Sequence, residues 1–152
     1  MDWVAAGGWL RDAYGRKDVP RTERLRAQAR EREERRKILA RWDTYEAQWR
    51  ALLASSNPIS FVNIPWPVSP PPNSVENLTS SAVSDFLFAP LVVNPNGGSK
   101  KDRIRTSLLR WHPDKLSGVL ARTTEQDMDA VRSGINATFR ILKDIQDAER
   151  HR

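Results

Sequence analysis

KKDRIRTSLLRWHPDK, Lys100–Lys115, decides how the chain is read. Its first twelve residues have helical periodicity, with Ile104, Leu108 and Trp111 on one face and Lys100, Lys101, Arg103, Arg105 and Arg110 directed mostly outward. Ser99 precedes it with Asp102 three residues on, the pattern of a capping box. The helix then runs into His112-Pro113-Asp114-Lys115. Proline fixes its own backbone and lacks a donor, so His112 and Asp114 are expected to be held pointing outward. There Asp114 can pair with an arginine of a partner, and His112 can hydrogen-bond it. The basic face of the helix adds steering toward an acidic surface.

A further helix is expected C-terminal to this loop. Thr123 or Thr124 opens it, and Glu125 and Asp127 suit its first turn. Met128, Val131, Ile135, Leu142 and Ile145, joined by Phe139, form its apolar stripe. On the N-terminal side, Thr79 is a good N-cap and Leu78 can staple onto Val83. That short helix is expected to end near Phe88, before Ala89-Pro90. Residues 79–147 thus read as a three-helix module. At about 70 residues its core is small, so the preceding segments are expected to brace it.

Three more segments lie upstream. Residues 1–19 place Trp3, Trp9, Leu10 and Tyr14 around Gly7-Gly8. Aromatics in so short a piece are disordered or anchor in a partner's pocket. Residues 20–54 read as one long helix, with Pro20 in its first turn. From Arg21 to Lys37, twelve of seventeen residues are charged, eight positive and four negative. Pairs at helical spacing (Glu31–Arg35, Glu33–Lys37, Glu33–Arg36) each add roughly 0.2–0.5 kcal/mol. Ile38, Trp42, Tyr45, Trp49 and Leu52 then form an a/d stripe over two heptads, short for an independent coiled coil. Either the C-terminal module or a partner helix would cover that stripe. Residues 55–78 form a proline-rich extended linker. Ile59–Ile64 alternates like a short strand, and Pro65-Trp66-Pro67 and Pro70-Pro71-Pro72 impose extended backbone. Phe61, Ile64 and Trp66 are too apolar to be left in water. The candidate partner-anchoring aromatics are therefore Trp3, Trp9, Trp42, Trp49, Phe61 and Trp66. The fold class expected for the whole is all-α.

Composition narrows the functions. The 152 residues include no cysteine and two histidines, so thiolate chemistry is excluded and a multi-His metal site is not expected. No catalytic residues, metal or cofactor are expected, because His112 and Asp114 lack a nucleophile to activate. A net charge of +6 favours acidic partners, nucleic acid or acidic protein, though it serves solubility as well. Direct RNA binding by the Arg-rich helix would be auxiliary, since acids interleave and no stacking platform accompanies the arginines. No apolar run reaches the roughly 18–20 residues of a membrane span, and Met1–Leu10 lacks the basic region of a secretory signal. An intracellular location without a membrane partner is the expectation.

Ile104–Lys115, IRTSLLRWHPDK, resembles the second helix and loop of a J-domain, and Ile135–Leu142, INATFRIL, resembles the third-helix pattern I-N-x-A-Y-x-x-L. Ser107 stands where J-domains usually carry leucine, and Arg132 lies near a usual aromatic position. A broader likeness covers about residues 25–147. RWDTYEAQW (Arg41–Trp49), ISFVNIPWP (Ile59–Pro67) and LLRWHPDK (Leu108–Lys115) are together similar to the C-terminal region of the NF-kappa-B inhibitor-like family. The ankyrin repeats of its animal members are not visible here. That resemblance implies a non-enzymatic nuclear adaptor associated with pre-mRNA splicing complexes. The J-domain likeness implies in addition a co-chaperone that stimulates a DnaK-type ATPase through His112, Pro113 and Asp114.

Overall fold

The computed structural model describes Val4 and Gly7–His151. Every regular element among these residues is helical, and the only β pairings are isolated bridges. The protein is all-α. Five α-helices follow one another: α1 (Val19–Ala54), α2 (Ser80–Val93), α3 (Lys100–Trp111), α4 (Ser117–Arg122) and α5 (Met128–Arg150). The chain divides into two compact units, Met1–Ala40 and Arg41–Arg152, with the division falling inside α1.

In the first unit the N-terminal segment folds back on α1. Thr22 is fully buried; its hydroxyl donates to the Asp18 carbonyl (2.7 Å) and accepts from the Leu10 amide (3.1 Å). Arg26 donates to the carbonyls of Gly7 and Gly8, both at 3.0 Å, and its guanidinium lies 4.1 Å from the Trp9 ring centroid. Trp9 is thereby half-buried within its own unit. Trp3 lies outside the described residues.

The second unit holds the core. α2, α3 and α5 pack mutually, and α4, expected only as loop, packs on α5. Thr79 caps α2, its hydroxyl accepting from the Ala82 amide (3.1 Å). α2 does not stop before Pro90 but runs through it to Val93. Pro90 and Leu91 are both buried, and that tertiary packing overrides the local preference for a break. Ser99 caps α3, accepting from the Asp102 amide (3.1 Å). The capping box is not closed, because the Asp102 carboxylate accepts from Arg105 instead (3.0 Å). Val131, Gly134, Ile135, Thr138, Leu142 and Ile145 form the buried face of α5.

The proline-rich segment is part of this core. Ile59 is its one paired residue: its amide donates to the Arg122 carbonyl (2.8 Å) and its carbonyl accepts from the Thr124 amide (2.9 Å). The strand expected over Ile59–Ile64 does not form. Phe61–Asn63 make a 3-10 turn, with the Ser60 amide and hydroxyl both donating to Asn63 Oδ1 (2.9 and 2.6 Å) and the Phe61 amide to Asp127 Oδ2 (2.8 Å). Arg122 reaches back to the carbonyls of Leu52 (2.6 Å) and Asn57 (3.1 Å), satisfying acceptors at the exposed end of α1.

Candidate functional site

The aromatic side chains and the HPD turn have opposite fates. Trp49, Phe61 and Trp66 are 1%, 6% and 4% exposed, so none of the three can fill a partner's pocket. Trp66 stacks on Trp111 (5.3 Å, 19°) and Trp49 meets the same ring edge-on (5.1 Å, 89°). Each indole N–H is satisfied inside the unit. Trp49 donates to the Pro65 carbonyl (3.0 Å), Trp66 to the Phe61 carbonyl (2.9 Å) and Trp111 to Tyr45 Oη (3.1 Å). Trp42, half-buried, packs on Tyr45 and Phe86. These residues were candidates either to anchor a partner or to brace the small module. They reach across their own chain, because the last four turns of α1 and the proline-rich segment supply what a small three-helix core lacks.

Two of the five cations of α3 are likewise drawn inward. Arg103 lies 3.7 Å over the Trp42 ring and donates to the Leu87 carbonyl (3.1 Å). Burial holds its pKa below the ordinary arginine value. Arg110 makes a two-pronged contact with Glu46, at 3.0 and 2.9 Å. Hydrogen bonds from Arg110 hold the Glu46 carboxyl below its ordinary value, outweighing burial, which acts in the opposite sense. Burial opposes the charge on Arg110, but its bonds to Glu46 and the nearby Tyr45 oxygen outweigh that and raise its pKa. Tyr45, fully buried, has its pKa raised by desolvation. Neither Arg103 nor Arg110 is a free steering charge. Lys101 is exposed, Arg105 is exposed and pairs with Asp102, and Lys100 lies 3.9 Å from Glu149 and 4.9 Å from the Phe88 ring centroid.

The HPD turn is open. α3 ends at His112, whose backbone is extended (φ −62°, ψ 129°). The Lys115 amide donates to the His112 carbonyl (2.9 Å), the Leu116 amide to the Pro113 carbonyl (3.2 Å) and the Ser117 hydroxyl to the Asp114 carbonyl (3.2 Å). Leu116 and Val119 are buried and fasten the turn to the core. The imidazole of His112 lies edge-on to Phe139 (5.3 Å, 76°), and its Nδ1 accepts from the Asp114 amide (3.1 Å). With Nδ1 an acceptor, the neutral ring carries its proton on Nε2. The Asp114 side chain is 91% exposed, with its carboxylate 3.8 Å from His112 Nδ1. The turn therefore offers an exposed carboxylate and an Nε2 donor. Ser107 is buried.

A groove of about 830 Å³ lies between the end of α1 and the proline-rich segment, lined by Arg41, Tyr45, Leu52, Ile64, Trp66 and Arg122 among others. It does not include the HPD turn. Among the described residues no cluster of acidic side chains or histidines has metal-binding geometry, and no helix is long and apolar enough to cross a membrane. Compared with known proteins, the chain matches no family model, no curated protein and no solved structure.

Proposed function

We propose that the chain is a non-enzymatic adaptor whose C-terminal unit is a J-like protein-binding module docking through the HPD turn. One observation carries this: His112 and Asp114 stand exposed on a turn pinned by backbone bonds, while of the competing aromatic anchors Trp49, Phe61 and Trp66 are buried and Trp42 is half-buried. The order α2, α3, HPD turn, short α4, α5, with α3 packed along α5, supports the J-like reading. The likeness of Arg41–Trp49, Ile59–Pro67 and Leu108–Lys115 to the NF-kappa-B inhibitor-like family supports a nuclear host, a splicing or RNA-helicase assembly. The test is recovery of splicing factors from nuclear extract by the full chain, with RNase present. His112→Gln and Asp114→Asn should each reduce recovery severalfold without lowering the melting temperature. Equal recovery by both variants would remove the turn as the docking element.

A second reading, the J-domain co-chaperone, is favoured by the exposed Asp114 carboxylate, which is free to take a partner's arginine. Stimulation of a DnaK-type ATPase by the full chain, lost in His112→Gln, would establish it. Absence of stimulation by a folded wild type would leave the adaptor reading alone. The full chain is required, because Trp49 and Trp66 belong to the same core as Trp111.

A further inference from the structure

The first unit carries a feature that the HPD turn does not use. α1 has a covered and an uncovered face between Arg21 and Lys37. At about 100° per residue, Thr22, Leu25, Arg26 and Ala29 share one side, and these are the four buried or half-buried positions of that stretch. The bonds from Thr22 and Arg26 show that the N-terminal segment covers this side. On the adjoining side, Arg21, Arg24, Gln28, Arg32 and Arg35 follow at spacings of three, four, four and three, within a sector of roughly 80°. All five are exposed.

The expected internal neutralisation of this helix happens elsewhere on it. Glu33 bonds Arg36 at 3.0 and 2.6 Å, and Glu34 lies 3.7 Å from Lys37. The Glu31–Arg35 pair expected from spacing is not formed, and Lys37 takes Glu34 rather than Glu33. Among the described residues, the side chains of Arg21, Arg24, Arg32 and Arg35 have no hydrogen bond or ion pair. Two acidic residues flank them: Glu31, and Asp18, whose carboxylate accepts from the Arg21 amide (3.1 Å).

We propose that Arg21, Arg24, Arg32 and Arg35 form a stripe that binds the phosphate backbone of a nucleic-acid duplex. The four guanidinium groups span about 21 Å of helix, and a duplex presents one charge per roughly 1.7 Å of its axis. Guanidinium groups match phosphate oxygens in a fixed two-pronged geometry that lysines do not offer. The stripe carries no aromatic side chain, so it has nothing on which the bases of a single strand could stack. Shape and phosphate contacts are how duplex RNA is held. An acidic protein surface is the competing occupant, since the guanidinium fork fits carboxylates too; a row of exposed arginines along one helix face, with no apolar residue among them, fits the continuous charge of a phosphate backbone better.

The test is fluorescence anisotropy of the full chain with a 20-base-pair RNA duplex, the matching DNA duplex and the single strand, titrated with salt. The wild type is expected to bind duplex with log K falling against log salt at a slope of about −3 to −4, the value for four phosphates. Arg21, Arg24, Arg32 and Arg35 all changed to Gln should abolish that binding. Arg30→Gln with Lys37→Gln, which removes two charges from another side of the same helix, should leave more than half of the slope. The RNA and DNA arms separate the two sources of backbone. Absence of duplex binding by the wild type at 50 mM salt, equal slopes in the stripe variant and the wild type, or stronger binding to polyglutamate than to either duplex would each overturn the proposal. The HPD turn variants keep the stripe intact and should bind duplex as the wild type does, so this outcome is independent of the docking reading.

Discussion

The Trp66 indole occupies the space that a side chain at Gly134 would need: a Cβ there would lie 2.6 Å from Cη2 and 3.0 Å from Cζ3. Trp66 cannot retreat, because its ring is stacked on Trp111 and its N–H is bonded to the Phe61 carbonyl. The absent side chain of α5 is therefore the seat of the proline-rich segment. Glycine costs the helix about 1 kcal/mol relative to alanine, and the wedge it admits outweighs that cost.

Gly134→Ala should accordingly destabilise the protein, against its helix propensity, by about 1–2 kcal/mol through overpacking. In Trp66→Phe the outer ring is gone, and the same Gly134→Ala change should become neutral or favourable. Urea unfolding of the four members of this cycle measures the coupling. A Gly134→Ala protein as stable as wild type in the Trp66 background would show that the indole does not hold its place.

Glu46 and Arg110 make stability depend on acid. The folded carboxyl titrates below its ordinary value of 4.5, held there by Arg110, whereas in the unfolded chain it titrates near that value. The folded state thus binds fewer protons in this window. The contribution is complete above the unfolded value and is lost as pH falls through the folded one. Glu46→Gln should cost about 1 kcal/mol at pH 7, and the difference from wild type should close on acidification below pH 4.5. A cost constant with pH would mean that the pair contributes by shape alone.

What could be read from sequence separates by range. The caps at Thr79 and Ser99 are local, a hydroxyl reaching an amide three residues on, and pattern suffices to see them. That Phe61, Ile64 and Trp66 must leave water was equally legible, but hydropathy does not say whose surface receives them, and Gly134 gave no sign of being that seat. Arg103 and Arg110 lie on the outer side of α3 considered alone. They became internal only because α1 lays Trp42 and Glu46 over that side, from more than 60 positions away. Pro90 failed in the opposite direction, a strong local rule overridden by burial. The HPD turn was the most legible part of the candidate site, since its geometry follows from adjacent residues and one proline.

Arg103 should resist a change of cation. Its guanidinium lies over the Trp42 ring while one nitrogen donates to the Leu87 carbonyl, a combination that an ammonium does not reproduce. Arg103→Lys should cost about 1 kcal/mol in thermal or urea unfolding. Arg105→Lys, two residues on at an exposed pair with Asp102, should stay within about 0.5 kcal/mol of wild type. Equal effects at both positions would reduce the Trp42 contact to ordinary surface packing.

Thr138 presents the reverse case, a polar atom in the wrong medium. It is fully buried on the inner face of α5, and its hydroxyl has no hydrogen-bond partner among the described residues. A buried hydroxyl left unsatisfied costs about 1–3 kcal/mol, and valine has nearly the same shape without it. Thr138→Val should therefore raise stability by about 1 kcal/mol, whereas Thr138→Ser, which keeps the hydroxyl and deletes the methyl, should lower it. The neighbouring Phe139, not Thr138, is the residue that meets His112. Docking through the HPD turn should be the same in Thr138→Val as in the wild type, so stability and recovery of partners can be varied separately. A Thr138→Val protein that unfolds earlier than wild type would mean that the hydroxyl is bonded in solution, and the inner face of α5 would then have to accommodate water.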